Sequence, residues 1–343
     1  MSGTVHLVIV AAWIVGLGAG AARCGKDLRG QAAAPEAGPL GQARDLLARG
    51  DVEKAERTVR EFLSQNQASA DGHFLLGLIL FRKIQADALE GRAAHAKGGQ
   101  TGAESVTSRE ALARASLAEY TEGARYRKPS ASDLKIVALD YVLLGSYGDA
   151  SKWLERSVED DPRDAEAWYY LGRAKYNENR FEEAVRAFEQ CLAIEPRNVK
   201  AQSNLGLSYA GLNLVGQAQE AFLQAIRWQS AASRKDPEAY IGLGDLLIQQ
   251  NRASEAVPYL LEAVDIAPRE SRAREKLGSA YLNLDRLAEA QGQLEAAIAL
   301  DTQNASLHYL LGSVYRKQGQ AEKARTEFDR FKTLKEAAGA VQP

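Results

Sequence analysis

The side chains that could do chemistry in this 343-residue chain are few and far apart. There are two cysteines, Cys24 and Cys191, and four histidines, His6, His73, His95 and His308. No C-x-x-C pair occurs and no two histidines have metal-ligand spacing, so neither a zinc site nor a disulfide framework is written here. "GLGAG" at 16–20 lies in an apolar run and "GLGD" at 242–245 lies on a helical pattern. A phosphate cradle needs a glycine loop after a strand, and neither stretch has one. "EDD" at 159–161 precedes Pro162 and reads as a solvated acidic turn. Asn304-Ala305-Ser306 is a glycosylation sequon, relevant only in a eukaryotic secretory pathway. With no nucleophile beside a base and no metal cluster, the expectation is a non-enzyme, with no catalytic, cofactor-binding or metal residues.

The bulk numbers point the same way. Hydrophobic residues make up 45% and charged residues 26%, enough apolar content to fold. Lys plus Arg is 43 against 45 for Asp plus Glu, which lacks the basic excess of a general nucleic-acid grip. One Met and an Ala- and Arg-rich usage fit a GC-rich bacterial genome.

Residues 5–22, "VHLVIVAAWIVGLGAGAA", carry one polar side chain, His6. Eighteen residues at a rise of about 1.5 Å span about 27 Å, close to a bilayer's hydrocarbon thickness. Ala19-Gly20-Ala21 fits a cleavage site. Residues 1–22 are therefore read as a signal peptide or membrane anchor and 23–39 as a flexible linker. Export is expected, to the periplasm or an inner-membrane anchor. Arg23, Lys26 and Arg29 just after the apolar run keep open an anchor whose following part faces the cytoplasm. Arg23 stands where a lipoprotein signal needs a small residue before Cys24.

The remainder is organised by a repeat. Leu-Gly pairs fall at 171–172, 205–206, 243–244, 277–278 and 311–312, with steps of 34, 38, 34 and 34. Ala150, Ala184, Ala218, Ala256, Ala290 and Ala324 keep the phase, as do Tyr141, Tyr209, Tyr281 and Tyr315. Phe188, Phe222 and Phe328 recur, replaced elsewhere by Leu154, Leu260 and Leu294, and Pro162, Pro196 and Pro268 close three units. In the unit beginning at Ala165, Trp168, Leu171, Gly172, Ala184, Phe188 and Pro196 stand together. This set resembles the tetratricopeptide repeat, a 34-residue helix–turn–helix with the pattern W-x2-L-G-x2-Y…A-x3-F…P. It departs at Lys175, where the pattern has Tyr.

A Gly inside a helix costs about 1 kcal/mol relative to Ala, so its recurrence marks a close helix approach. Gly172 with Ala184, or Gly206 with Ala218, are the small residues that permit it. Between the paired helices Gly145, Asn179, Asn213, Asn251, Asp285 and Gly319 hold equivalent places, with Gly50 before "DVEKA". All are residues that accept a left-handed backbone at a helix end.

The expected fold is all-α, a right-handed α-solenoid of about eight helix–turn–helix repeats. Residues 131–338 hold six regular units, the third carrying four extra residues. Residues 40–130 hold diverged units, with an insertion at 86–107, dominated by Gly, Ala, Ser and Thr and without an aromatic, read as a helix extension that frays into a disordered loop, and 339–343 are a tail. In the last unit Phe328, Phe331 and Leu334 give one apolar side and Lys and Arg crowd the other.

The resemblance implies that first helices line a concave groove. The expected partner-binding residues are Tyr169, Arg173, Tyr176 and Asn177, then Asn204, Asp245, Gln249, Glu275, Asn283 and Arg316. Ile241, Ser279, Tyr309 and Ser313 share the stripe. Aromatics and Arg are common interface anchors. The Lys-Asn and Lys-Arg clamp of repeats that hold acidic chaperone tails is not present as a set, although Lys135, Lys200 and Asn204 approach it. The functional expectation is a non-catalytic scaffold of the bacterial cell envelope. It would bind an extended peptide or partner protein, with no cofactor, no nucleic acid and membrane contact only through the N-terminal segment. A self-associating array, including a homo-oligomer, and an accessory half of an envelope enzyme complex are the alternatives.

Overall fold

The computed structural model describes residues 38–96, 103–233 and 235–340, which form sixteen α-helices and no strand. The expected signal or anchor at 1–22, Cys24 and nearly all of the linker lie outside the described residues. Among the described residues no helix is long and apolar enough to cross a membrane.

The chain divides after Glu178 into two compact bodies. The first holds α1 (Pro39–Ala48), α2 (Val52–Gln65), α3 (Ala70–Ala96), α4 (Ala103–Gly123), α5 (Ala131–Leu143), α6 (Tyr147–Asp160) and α7 (Ala165–Asn177). The second holds α8 (Phe181–Ile194), α9 (Val199–Gly211), α10 (Val215–Gln229), α11 (Glu238–Gln249), α12 (Ala253–Ile266), α13 (Ser271–Asn283), α14 (Leu287–Leu300), α15 (Ala305–Lys317) and α16 (Ala321–Ala340). Within each body consecutive helices pack as antiparallel hairpins, and each hairpin leans on the next.

Local sequence sets these boundaries. Asn179, Asn213, Asn251 and Asp285 have φ of 60°, 58°, 60° and 55°, and Gly50, Gly145 and Gly319 have φ of 85°, 73° and 75°. These are the seven turn positions expected from residue type. At the opposite end, the Asp164 and Asn198 side chains accept from the Ala167 and Ala201 amides at 3.0 and 2.9 Å, capping α7 and α9. Ser130 and Asp133 form a reciprocal capping box on α5.

The stretch 86–107 starts as the helix extension that the sequence implied. Helix α3 runs on to Ala96 and α4 begins at Ala103, leaving only 97–102 outside the described residues. Ala88, Leu89, Glu90, Arg92, Ala93, Ala94 and Ala96 are good helix formers, so the segment extends a helix that is anchored elsewhere.

Packing follows the repeat. Ala150, Ala184, Ala218, Ala256 and Ala290 are fully buried, as are Ser157, Cys191, Ala225, Ala263 and Ala297 seven residues later. Phe222 is buried against α9 and α11, where a methyl group added to Gly206 or Gly242 would stand 2.7 or 2.5 Å from its ring. In the second body one apolar core runs without a break from Ala218 to Ala324, because each hairpin leaves a face that only its neighbour covers.

A tie recurs twenty residues apart. Tyr209 and Tyr315 donate their hydroxyls to Glu189 and Glu295 at 3.2 and 2.9 Å. At the position where the repeat pattern is broken, Lys175 reaches Glu155 at 2.5 Å. The substituted residue keeps the same acceptor, which explains how the departure is tolerated. The corresponding acceptor for Tyr281 would be Leu261, an exposed apolar residue, and Tyr281 is instead covered by the Arg286 guanidinium at 4.5 Å.

Candidate functional site

In the second body the first helices of successive hairpins touch one another, α9 with α11, α11 with α13, and α13 with α15. Contacts between successive second helices are sparser. The first helices therefore line the tighter side, and side chains at i and i+4 along each one form adjoining stripes.

The expected residues distribute unevenly over the two bodies. Asp245 on α11 pairs with Lys276 on α13 at 2.8 Å and accepts from the exposed Gln249 at 3.3 Å. Asn204 gives an amide proton to the Lys200 carbonyl at 2.9 Å, and Asn177 does the same to the Arg173 carbonyl at 2.8 Å, so one donor of each is used within its own helix. Asn283 and Arg316 are exposed, Arg316 lying 5.7 Å from the Phe328 ring centroid. Ile241 is buried, and Ser313 bonds back to the Tyr309 carbonyl. In the first body, Tyr169 and Arg173 are only 8% and 9% exposed, with the guanidinium 5.8 Å from the Tyr169 ring. Tyr176 and Asn177 are half-buried. Lys135 is held by Asp164 at 2.7 Å and Glu166 at 2.9 Å, which consumes its charge.

The structure gathers Glu275, Ser279 and Tyr309 around one cleft of about 330 Å³, between α13 and α15. Lys276, Ser306, Leu310 and Phe331 complete its wall. Sequence reasoning did not place these four at a site. Phe331 carried a signal, since it holds the register of Ser157, Cys191, Ala225, Ala263 and Ala297, where every other regular unit has a small residue. Its ring packs 5.4 Å from that of Tyr309, which remains 49% exposed.

The charges around the cleft are specific. Lys276 is neutralised by Asp245, and Arg272 by Glu238 at 2.6 Å. Glu275 has no ion pair among the described residues. Burial pushes its carboxyl above the usual range, outweighing the nearby Lys276 and Arg272 charges and a hydrogen bond from Asn304. The Asn304 oxygen is meanwhile engaged in capping α15 through the Ser306 amide at 3.1 Å.

Comparison with known proteins accounts for the repeat. Two family models described as tetratricopeptide repeat match, one at residues 165–198 and the other at 40–98, 203–271 and 275–340. The human protein O-mannosyl-transferase TMTC3 is 28% identical over 170 residues, 46% of this chain and 19% of that protein. The peroxisomal targeting signal receptor of Kluyveromyces lactis is 21% identical over 184 residues, covering 44% of this chain and 32% of the receptor. The chain thus spans a third or less of the length of these relatives. The crystal structure of the APC/C hetero-tetramer Cut9–Hcn1 is similar with a TM-score of 0.58 at 15% identity, over 86% of this chain and 52% of that one, a likeness of fold. The chain belongs to the tetratricopeptide repeat family, whose arrays serve as protein–protein interaction scaffolds.

Proposed function

We infer that this protein is a non-catalytic scaffold that holds an extended segment of another protein along its first-helix face, in the bacterial cell envelope. The observation that carries the binding reading is the cleft between α13 and α15, where a half-exposed Tyr309 and an ion-pair-free Glu275 stand beside Ser279. Rigid aromatics beside a few directed polar groups make good anchors for a partner chain. The mannosyl-transferase name belongs to a protein of which this chain matches 19%, and it carries no activity over to these repeats. A receptor for a targeting signal among the relatives is in keeping with a peptide-holding role. The envelope location rests on the apolar run at 5–22.

A photo-cross-linking residue placed at Ser279 or Asn283 tests the face, with Ala288 on α14 as the control position. A discrete adduct from the first two and none from the third is expected. Equal adducts from all three, or none from any, would refute the groove reading. The location is tested by protease added to cells with permeabilised outer membranes, which should cleave the repeats. Protection until the inner membrane is lysed would overturn export.

A further inference from the structure

We propose that the cleft bounded by Glu275, Tyr309 and Phe331 accepts a lysine or arginine side chain of the bound protein segment. This rests on the groove reading and specifies what the groove selects. Glu275 supplies the counter-charge and the two rings receive the aliphatic stem and the cation's face.

Three observations support a cation over an anion or an apolar side chain. First, of the two charged side chains that line the cleft, Lys276 is spent on Asp245 at 2.8 Å, while Glu275 has no ion pair among the described residues, and the neighbouring Arg272 is spent on Glu238 at 2.6 Å. Second, the aromatic wall already attracts cations from within the chain. The Lys335 ammonium sits 5.6 Å from the Phe331 centroid and the Arg316 guanidinium 5.7 Å from that of Phe328, which packs beside Tyr309 at 5.9 Å. Third, Ser279 and Ser306 line the same cleft and can accept hydrogen bonds from an ammonium or guanidinium. A half-buried carboxylate that burial holds toward its neutral form gains most from a cation brought in by a partner. An acidic or purely apolar occupant would leave Glu275 repelled or further desolvated.

The segment is assigned to a protein because the stripe continues past the cleft along α11 and α13 through the exposed Gln249 and Asn283. Their side-chain amides can bond the backbone of an extended chain.

The test uses the full chain and an array of immobilised nonapeptides with randomised flanks and a fixed central Lys, Arg, Gln, Leu or Glu. The Lys and Arg pools should hold several times more protein than the Gln and Leu pools, and the Glu pool least. In Glu275→Gln the Lys and Arg advantage should fall about tenfold, the size of one charge-assisted hydrogen bond, while the Leu pool is held as before, which also shows the variant folded. Soluble N-acetyl-lysine amide at low millimolar should not compete. Equal retention by all pools would leave peptide binding standing and overturn the cation assignment, as would an advantage that survives Glu275→Gln. Full competition by the free amide would make this a small-amine site, and selective capture by immobilised copies of the chain itself would make the occupant a second copy. Either result overturns the proposal. Retention by no pool would overturn it together with the groove reading.

Discussion

The Phe222 ring stands where a side chain on Gly206 would have to be, with a built methyl carbon only 2.7 Å from it. The same contact recurs at Gly244 against Leu260, Gly278 against Leu294 and Gly312 against Phe328, at 2.5, 2.7 and 2.9 Å. The repeating glycine is thus a hole for the repeating large residue of the second helix. Gly206→Ala should lower stability by about 1–3 kcal/mol, the usual cost of overpacking a filled core. Gly292, in α14 with nothing within 4 Å of a built methyl, is the control. Gly292→Ala should stabilise by about 0.5–1 kcal/mol, since only helix propensity acts there. Thermal and denaturant melts of both variants decide it. The same sign for both would show that the ring contact does not matter.

The tie at the broken repeat position makes its own prediction. Lys175 is buried and reaches Glu155, whereas the Lys152–Asp149 pair at 3.1 Å is exposed on both sides. Glu155→Gln should cost about 1–2 kcal/mol, because a charge-assisted bond to a buried cation is weakened. Asp149→Asn should cost nothing measurable, as exposed pairs do. Lys175→Tyr should preserve most of the stability by restoring the donor that Tyr209 and Tyr315 present to Glu189 and Glu295. A Lys175→Tyr variant as damaged as Lys175→Ala would show that the recurring tie is incidental.

His73 gives the first body a pH dependence. Its ring nitrogens meet two acceptors, Glu119 at 2.7 Å and the Gln67 carbonyl at 2.8 Å, so both donate when the imidazole is protonated. Burial alone would lower its pKa, but these bonds and the Glu119 charge outweigh it and raise the value above 6.5. A raised folded value stabilises the protonated form. The contribution is complete below the unfolded value of about 6.5 and disappears as pH rises through the folded one. The melting temperature of His73→Gln should therefore fall less between pH 5.5 and 8.5 than that of the wild type. Parallel curves, or an NMR titration midpoint for His73 at or below 6.5, would contradict this.

How far the sequence reached is clear from individual residues. The left-handed turns at Asn179, Asn213, Asn251 and Asp285 were legible because they depend on residue type at one position. The buried alanines were legible because a period of 34 forces equivalent packing. The helical course of 86–96 was legible only as an extension of unstated length, since low hydrophobicity argues against a core but not against a helix extended from one. The stripe through Asp245, Glu275 and Tyr309 followed from helical spacing. Its cleft did not, because Phe331 arrives from a second helix and Lys276 points to Asp245 rather than along its own stripe. Nor did helical spacing show that Tyr169 and Arg173 are almost wholly buried, because a stripe half a turn wide contains both packed and open positions.

Asp140 on α5 sets the last prediction. It is fully buried and neither carboxyl oxygen has a hydrogen-bond partner among the described residues. Burial pushes its carboxyl well above the ordinary range, and the adjacent Ser116 offsets this only in part, its hydroxyl proton going to the Gly77 carbonyl at 3.0 Å. The buried Tyr120 hydroxyl is likewise without a partner, and burial raises its pKa too, with the Asp133 and Asp140 charges adding to the shift. For an acid whose folded value is raised, the unfolded state releases the proton first. Stability then falls as pH climbs above the unfolded value of about 3.9 and goes on falling until the folded value is passed. Asp140→Asn removes the charge that must be neutralised while keeping the shape. Its melting temperature should exceed that of the wild type at pH 8 and converge with it near pH 4, each kcal/mol being worth about 2–4 °C in a body of this size. A variant equally destabilised at both pH values would mean that the carboxyl is held by a polar contact that Asn cannot replace, and that Asp140 is a structural hydrogen-bonding group rather than a buried neutral acid.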